Sequence, residues 1–225
     1  MPPVINLSGS VPVPSDGVAV GVRSPVNARA ILTRAIDVGI SLLVLTLSAP
    51  MLAMVMIAIG LDSRGPALFR QNRIGHLGRP FRMYKFRTMR WDPTAHSPGG
   101  ALPPLYRDNY RKSTHDSRVT RVGFHLRRWS VDEIPNLLNV LRGEMTLVGP
   151  RPAGCLPQSY GDAFSSVVSV KPGVTGLWQV MGRGNLSFAE RVALDCEYVR
   201  GRSIRMDAWI LFRTIGVVLS RRGAY

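Results

Sequence analysis

One run of hydrophobic residues dominates the pattern of the chain. Residues 38–61 hold no charged side chain, and as an α-helix they would measure about 36 Å, against about 30 Å for the hydrocarbon core of a bilayer. Globular helices of this length are seldom uncharged on every face, so the run favours a membrane-inserted helix over a buried core helix. A cleaved signal peptide fits poorly, because the polar stretch ahead of the run is too long.

A proline in the middle of the run argues against a straight crossing. Pro50 removes a backbone hydrogen bond and kinks a helix, and Ser48 stands two residues before it. Arginines flank the run on both sides, whereas the positive-inside rule expects an asymmetry between the ends of a crossing helix. We therefore predict a re-entrant membrane helix within residues 29–62 that bends near Pro50 and returns to the cytoplasmic face.

The rest of the chain divides into a lead-in and a water-soluble part. Residues 1–28 are rich in Pro, Ser, Gly and Val without periodicity, which predicts a disordered lead-in. Residues 63–225 carry short alternating and helical patterns, which predict a cytoplasmic domain of helices and short strands with interfacial helices. The predicted fold class is a small membrane-associated domain of α/β type behind an N-terminal membrane helix.

Four patterns predict elements within the domain. Phe81, Tyr84 and Phe86 alternate imperfectly with basic residues, which predicts a short strand with a basic face. Residues 91–117 contain several prolines and glycines, which predict a long loop. Such a loop either acts as a lid over the site or has no function of its own. Apolar residues at helical spacing predict a short helix that ends near Gly143. Glycines around LWQVMG predict strands and turns.

The last pattern is an apolar face at helical spacing near the C-terminus. The face consists of Ala208, Leu211, Phe212, Ile215, Val218 and Leu219. It predicts a helix that either lies on the membrane or packs on the core.

The composition indicates the charge of the expected partner but does not identify the partner. The chain has 29 Lys and Arg residues against 14 Asp and Glu residues, a formal charge of +15. The partner is therefore expected to be anionic: nucleic acid, an acidic lipid surface or a phosphate-bearing substrate. Two cysteines far apart and four scattered histidines do not match a disulfide framework or a zinc site.

Two acidic residues behind two arginines form the most informative segment. Asp132 and Glu133 follow Arg127 and Arg128 at the start of the predicted short helix. Ser130 and Glu133 have the spacing of a capping box, and acidic residues stabilise helix N-termini through the macrodipole. On this pattern alone the capping box is the favoured interpretation.

The same segment suits chemistry at a diphosphate. Transfer at phosphorus needs a nucleophile, cations that neutralise the phosphate oxygens, and a leaving nucleotide held in line. A carboxylate can attack phosphorus and form an acyl phosphate, which splits one displacement into two. Because an anion repels an attacking anion, Mg²⁺ and arginines have to lie close by. Glu133 is the candidate Mg²⁺ ligand, and the candidate cations are Arg127, Arg128, Arg151 and Arg183.

Three basic positions outside this segment have two interpretations each. The turn at residues 149–152 (GPRP) would hold Arg151 stiffly, or it is a plain turn with a solvated arginine. Lys85 and Arg87 on the predicted strand would contact phosphate or lipid headgroups, although a solvated basic strand is the more common arrangement.

Three segments stand out together: YKFRTM at residues 84–89, DSRVTRVGFHLRRWSVDEIPNLLNVLRGEMTLVGPRP at 116–152 and VKPGVTGLWQVMGR at 170–183. They resemble the signature blocks of the bacterial sugar transferases, the monotopic phosphoglycosyl transferases. That family also carries an N-terminal hydrophobic helix at the position of residues 38–61. The length and the SRRGAY ending most resemble the short transferases that initiate exopolysaccharides with galactosyl or glucosyl phosphate.

The resemblance implies a two-step reaction at the bacterial inner membrane, with a catalytic domain facing the cytoplasm. The aspartate matching Asp132 attacks the β-phosphorus of a UDP-sugar and releases UMP, and undecaprenyl phosphate then takes the sugar phosphate. The glutamate matching Glu133 binds Mg²⁺, and the main chain at the position of Arg127 lies beside the metal. The arginines matching Arg151 and Arg183 hold phosphates.

This chain departs from the family pattern at two places. Relatives break the membrane helix at adjacent Ser and Pro residues, whereas Ala49 separates them here. Asn136 stands where relatives usually have Gln. The first departure affects the geometry of the bend in the helix. The second affects a contact that supports the acidic pair.

Two questions stay open at the level of sequence. A non-catalytic basic protein that binds anionic lipid or nucleic acid would explain the charge, but not the acidic pair, and no nucleic-acid module signature is present. We therefore expect membrane lipids, and not nucleic acid, among the partners. The sequence does not decide between galactose, glucose and an N-acetylated or diamino sugar, or whether the chain forms a homodimer.

Overall fold

Helices make up most of the structure, a computed structural model that describes residues 28–90, 116–154 and 157–220. The helices are α1 (Ala28–Asp62), α2 (Arg121–Arg128), α3 (Leu137–Arg142), α4 (Ala163–Val168), α5 (Leu177–Met181), α6 (Phe188–Gly201) and α7 (Ile204–Ser220). The strands are β1 (Leu68–Ile74), β2 (Pro80–Phe86), β3 (Thr146–Val148) and β4 (Gly173–Thr175). The predicted lead-in and nearly all of the predicted long loop lie outside the described residues.

The strands form two separate two-stranded sheets. β1 and β2 make an antiparallel hairpin in which Leu68 pairs with Phe86, and β3 and β4 run parallel. The α/β prediction therefore holds only as helices with a few short strands. The strand-and-turn prediction around LWQVMG is wrong for LWQVM, which forms α5 and buries Leu177, Trp178 and Val180.

The parallel pair brings two backbones into very close contact. A Cβ at Gly173 would lie 2.1 Å from the amide nitrogen of Gly149, and a Cβ at Gly149 would lie 2.6 Å from the carbonyl oxygen of Lys171. Only glycine fits at these two positions. Because Gly149 begins the turn that carries Arg151, the contact determines where that turn leaves β3.

The main core lies among α3, β3, α5, α6 and α7. Its buried members are Met83, Leu137, Val140, Met145, Leu147, Val148, Leu177, Val180, Tyr198 and Ile210. α3 ends at Gly143, whose left-handed backbone (φ 80°) confirms the predicted helix end. α7 packs Ile210 into this core. Ile210 does not belong to the predicted apolar face, of which Phe212, Ile215 and Leu219 are exposed, so the predicted packing of that face on the core is wrong.

One face of α1 packs on the domain, and its other faces are apolar and exposed. The packed residues recur at intervals of three, four or seven positions, which keeps them on one side of the helix: Asp37, Ser41, Leu45, Leu52, Val55 and Ile59. The helix continues through Pro50. By length and composition it could cross a membrane, and only 6% of its most apolar window is buried.

Charged side chains attach the N-terminal part of α1 to the domain. The Asp37 carboxylate accepts hydrogen bonds from the Thr146 hydroxyl at 2.8 Å and from the Leu147 amide at 2.9 Å. The Arg34 guanidinium donates to the carbonyls of Val140 and Leu141 at the end of α3. These contacts bind the helix directly to β3 and α3.

The C-terminal end of α1 is attached to the same domain by Arg87. This guanidinium is 4% exposed and donates to the carbonyls of Ile59, Ser63 and Arg64. The Ser63 and Arg64 carbonyls lie just past the last residue of α1, and the Ile59 carbonyl also accepts from the Ser63 amide at 3.2 Å. Both terminal nitrogens of Arg87 donate to the end of α1 and the side chain is buried, so the structure does not support the prediction that Arg87 binds phosphate.

Candidate active site

The acidic pair, Asp132 and Glu133, lies in a short 3-10 turn, Val131–Asn136, between α2 and α3. Ser130 precedes the turn with a left-handed backbone (φ 57°), which redirects the chain after α2. Pro135 lies inside the turn and has no N–H to donate, so regular α-helix starts only with α3. The predicted helix therefore begins later than its apolar spacing suggested, and the pair lies ahead of it.

Two basic side chains from distant parts of the chain meet at Glu133. Lys85 Nζ on β2 donates to Glu133 Oε1 at 3.0 Å, and Arg151 after β3 donates to the same oxygen at 2.7 Å. The Lys85 side chain is 15% exposed and the Arg151 side chain 31%. The alternative interpretations, a solvated basic strand for Lys85 and a solvated arginine on a plain turn for Arg151, are therefore wrong.

The capping-box interpretation of Ser130 and Glu133 is wrong. The Ser130 side chain makes no capping hydrogen bond, and its hydroxyl accepts from Arg183 Nη2 at 2.8 Å. A capping box needs an extended backbone at the serine, whereas Ser130 is left-handed. A true capping box occurs in α6, between Ser187 and Glu190.

The two adjacent carboxyls have opposite pKa shifts. Burial raises the pKa of Asp132 to about 6, and the negative charge of Glu133 contributes to the rise. Burial acts on Glu133 as well, but the positive charges of Arg151 and Lys85 outweigh it and hold the pKa of Glu133 well below its usual value. Glu133 is therefore a permanent anion, whereas Asp132 is a poorly stabilised carboxylate near neutral pH, as suits a nucleophile.

The remaining predicted arginines take different places around the pair. Burial lowers the pKa of Arg183, and both carboxylates act on it in the opposite direction, so it lies within electrostatic range of the pair. Arg127 Nε donates to the Thr88 hydroxyl at 2.8 Å, and its charge also acts on the Asp132 carboxyl. Arg128 is exposed on α2, outside this cluster.

Two residues that support Arg151 were missed by the sequence analysis. Asp195 on α6 is 4% exposed and accepts a hydrogen bond from the Arg151 backbone, and burial raises the pKa of its carboxyl to about 8. The Trp178 ring on α5 lies 5.9 Å from the Arg151 guanidinium carbon and 4.9 Å from that of Arg191. Neither residue belongs to a local pattern that could have connected it with Arg151.

The acidic pair offers carboxylate oxygens, which are suitable ligands for Mg²⁺. Side chains of the protein alone would not complete the coordination of the metal. Mg²⁺ is usually bound through one or two carboxylates and completed by water and substrate phosphates. Among the described residues no three His, Cys, Asp or Glu side chains cluster as a metal site. Asp132 and the ionised Glu133 supply adjacent carboxylates, and both ion pairs of Glu133 use Oε1 and not Oε2. The residues present therefore fit a metal that is shared with a phosphate substrate.

The chain belongs to the bacterial sugar transferase family, whose model matches residues 28–221. It is 40% identical to the exopolysaccharide production protein ExoY of Sinorhizobium fredii, over 85% of this chain and 87% of the relative. It is 43% identical to an undecaprenyl-phosphate glucose phosphotransferase of Komagataeibacter xylinus, over 85% of this chain and 36% of the relative. It is 38% identical to an undecaprenyl-phosphate galactose phosphotransferase of Salmonella typhimurium, over 86% and 42%.

These comparisons confirm the family that the three sequence blocks predicted. The protein is a sugar transferase, and its similarity to ExoY extends over nearly the whole of both chains. The two phosphotransferases are longer proteins, of which this chain matches less than half.

Proposed function

We propose that this chain transfers hexose-1-phosphate from UDP-galactose or UDP-glucose to undecaprenyl phosphate, releases UMP and so initiates an exopolysaccharide. The observation that carries the proposal is the pair of adjacent carboxyls with opposite pKa shifts, Asp132 raised and Glu133 lowered. The names of the relatives support the lipid acceptor and the two hexoses.

In the first step a carboxylate oxygen of Asp132 attacks the β-phosphorus of the UDP-sugar. An acyl phosphate bond forms, the bond between the β-phosphorus and the bridging oxygen breaks, and that oxygen leaves with its electron pair as part of UMP. Arg151 and Arg183 offset the negative charge on the phosphate oxygens during the displacement. Lys85 and Arg151 hold the Glu133 carboxylate beside the nucleophile.

In the second step a phosphate oxygen of undecaprenyl phosphate attacks the phosphorus of the aspartyl–sugar phosphate. A diphosphate bond forms, the acyl phosphate bond breaks, and the Asp132 carboxylate is restored. Because the covalent intermediate holds the sugar phosphate between the steps, the water-soluble donor and the lipid acceptor can use the same site in turn.

Mg²⁺ would be held by Glu133 with the donor phosphates, and the main chain of Arg127 would lie beside it. When bound, the metal supplies positive charge that lets one anion attack another. The protein itself orients Glu133. Lys85 and Arg151 both donate to Oε1 of Glu133, and neither of these two bonds uses Oε2.

We place the protein on the cytoplasmic membrane of a bacterium, with residues 63–225 in the cytoplasm and α1 as a re-entrant helix. Asp37 and Arg87 support this placement, since they attach the two ends of α1 to one domain. A crossing helix puts its ends on opposite faces of the membrane. Membrane lipids would cover the exposed apolar faces of α1 and α7.

The test is UMP release by protein purified in nanodiscs with undecaprenyl phosphate and Mg²⁺. UDP-galactose, UDP-glucose and UDP-N-acetylglucosamine are supplied in parallel, with Asp132→Asn as the control. We expect release with one of the hexoses and none from the variant. Release with the N-acetylated sugar alone would change the donor but keep the chemistry, and no release with any donor from folded protein would contradict the proposal.

A further inference from the structure

Two residues that contact each other near the acidic pair, Ser130 and Arg183, have left-handed backbone. Among the described residues, three that are not glycine have positive φ: Leu77, Ser130 and Arg183. This region is unfavourable for residues with a Cβ, and such strain collects where the surrounding structure uses it. Two of the three strained residues, Ser130 and Arg183, are partners in one hydrogen bond.

Ser130 connects several parts of the site at once. Its amide donates to the Arg127 carbonyl at 3.1 Å, and its carbonyl accepts from the Glu133 amide at 3.3 Å. Its hydroxyl accepts from Arg183 Nη2 at 2.8 Å. A serine in the extended or right-handed region would direct its hydroxyl elsewhere, so the left-handed backbone is a condition of this last contact.

We infer that Ser130 is a positioning residue for the proposed transfer: its left-handed backbone directs its hydroxyl at Arg183 and holds that guanidinium beside Asp132 and Glu133. The inference rests on the proposed function and adds a residue whose spacing in the sequence indicated only a helix cap. Arg183 reaches the pair from a distant turn, Arg183–Asn185. A long side chain on a short turn has many rotamers, and a fixed acceptor reduces them before the donor binds.

Replacing Ser130 by glycine separates the hydroxyl from the backbone. Glycine adopts positive φ without strain, so Ser130→Gly keeps the turn and the thermal midpoint while it removes the hydroxyl that accepts from Arg183 Nη2. The matched control is Leu77→Gly, which relieves the same strain in the β1–β2 turn, where the leucine is 63% exposed. Both variants are compared with the wild type in nanodiscs by UMP release and thermal unfolding.

We expect Ser130→Gly to lower kcat/KM for the UDP-sugar roughly tenfold or more, with a raised donor KM and an unchanged thermal midpoint. Leu77→Gly should leave kcat/KM at the wild-type value. In the Arg183→Met background, Ser130→Gly should change kcat/KM less than about twofold, because the hydrogen bond is already lost.

Wild-type kcat/KM in Ser130→Gly, or an equal loss with and without Arg183, would overturn the inference and leave the proposed function standing. A Ser130→Gly loss that comes with a lowered thermal midpoint and an unchanged donor KM would also overturn it, since that result describes a structural role. If the wild type releases no UMP from any donor, the proposed function fails, and this inference fails with it.

Discussion

Charged side chains are half-buried at the acidic pair and buried where α1 joins the domain, and in the two places they bind different partners. At the pair, side chain meets side chain: Glu133 accepts from Lys85 and Arg151. At the ends of α1, Asp37 binds a backbone amide and a hydroxyl, and Arg87 binds three backbone carbonyls. The second arrangement saturates groups that folding would otherwise bury without partners, whereas the first leaves charge that a phosphate substrate can share.

In this molecule the type of a residue alone does not show whether it serves catalysis or stability. Asp37 is a buried aspartate and Asp132 a half-buried one, and Arg87 and Arg151 both follow a strand of the domain. Their partners differ, so the same substitution should affect catalysis in one region and stability in the other.

The largest difference is expected between the two aspartates. Asp132→Asn removes the nucleophile, and UMP release should fall roughly 10³-fold or more. The thermal midpoint at pH 8 should stay equal or rise, because the raised pKa of Asp132 means that its ionised form opposes folding above the ordinary carboxyl pKa. Asp37→Asn is the matched control: it should lower the thermal midpoint and keep kcat per folded molecule. Equal losses of activity in both variants would contradict the assignment of a catalytic role to Asp132 and a structural role to Asp37.

Glu133→Gln should have the next largest effect. It removes the permanent anion that Lys85 and Arg151 hold, and we expect UMP release to fall roughly 10²-fold. The Mg²⁺ concentration for half-maximal rate should rise, because one carboxylate ligand is lost. A Mg²⁺ titration of both proteins checks this, and an unchanged midpoint would count against the metal role of Glu133.

Acid should reduce the rate through Asp132. This carboxyl must be ionised to attack, and its pKa is raised to about 6, so kcat/KM should fall about tenfold for each pH unit below that value. In Glu133→Gln the fall should begin at lower pH, because the negative charge of Glu133 contributes to the shift. A pH–rate profile of the two proteins tests both statements, and a profile that does not move between them would contradict the coupling.

The smallest effect on chemistry is expected at Arg87. Arg87→Met removes the donors that bind the end of α1 and should lower the free energy of unfolding by about 2–4 kcal/mol, with kcat per folded molecule close to the wild type. Chemical unfolding and UMP release measure the two quantities separately. Full stability with abolished turnover would restore the prediction that Arg87 binds phosphate.

Much of the fold could be predicted where patterns are long. The apolar run of α1 and the helical pattern of α7 each extend over several turns, and β2 was predicted as a strand from an imperfect alternation. LWQVM could not be assigned in the same way, because five residues between glycines do not separate a strand from a helix. Pro135 lacks an N–H and cannot bond to the Val131 carbonyl, so regular α-helix cannot include the acidic pair, although the apolar spacing alone does not show where α3 begins.

The site could be predicted in its acidic pair but not in all of its partners. Lys85 and Arg87 stand two residues apart, and nothing local shows that one binds Glu133 while the other binds the end of α1. Asp195 supports Arg151 from another helix, which no spacing in the chain indicates. Such contacts are decided by tertiary packing. The charge that a diphosphate substrate requires and the resemblance to a family both named Arg151 and Arg183 beforehand, but no spacing in the chain showed that they meet the pair.

The central claim is that Asp132 carries the sugar phosphate between the two steps, and trapping that intermediate tests it most directly. The protein in nanodiscs without undecaprenyl phosphate is mixed with Mg²⁺ and its UDP-sugar, quenched and analysed by intact-mass and peptide mass spectrometry. We predict a burst of UMP no larger than the amount of protein and the mass of one hexose phosphate on the peptide that contains Asp132. Steady UMP release on addition of acceptor, with no burst and no modified peptide before it, would contradict the account.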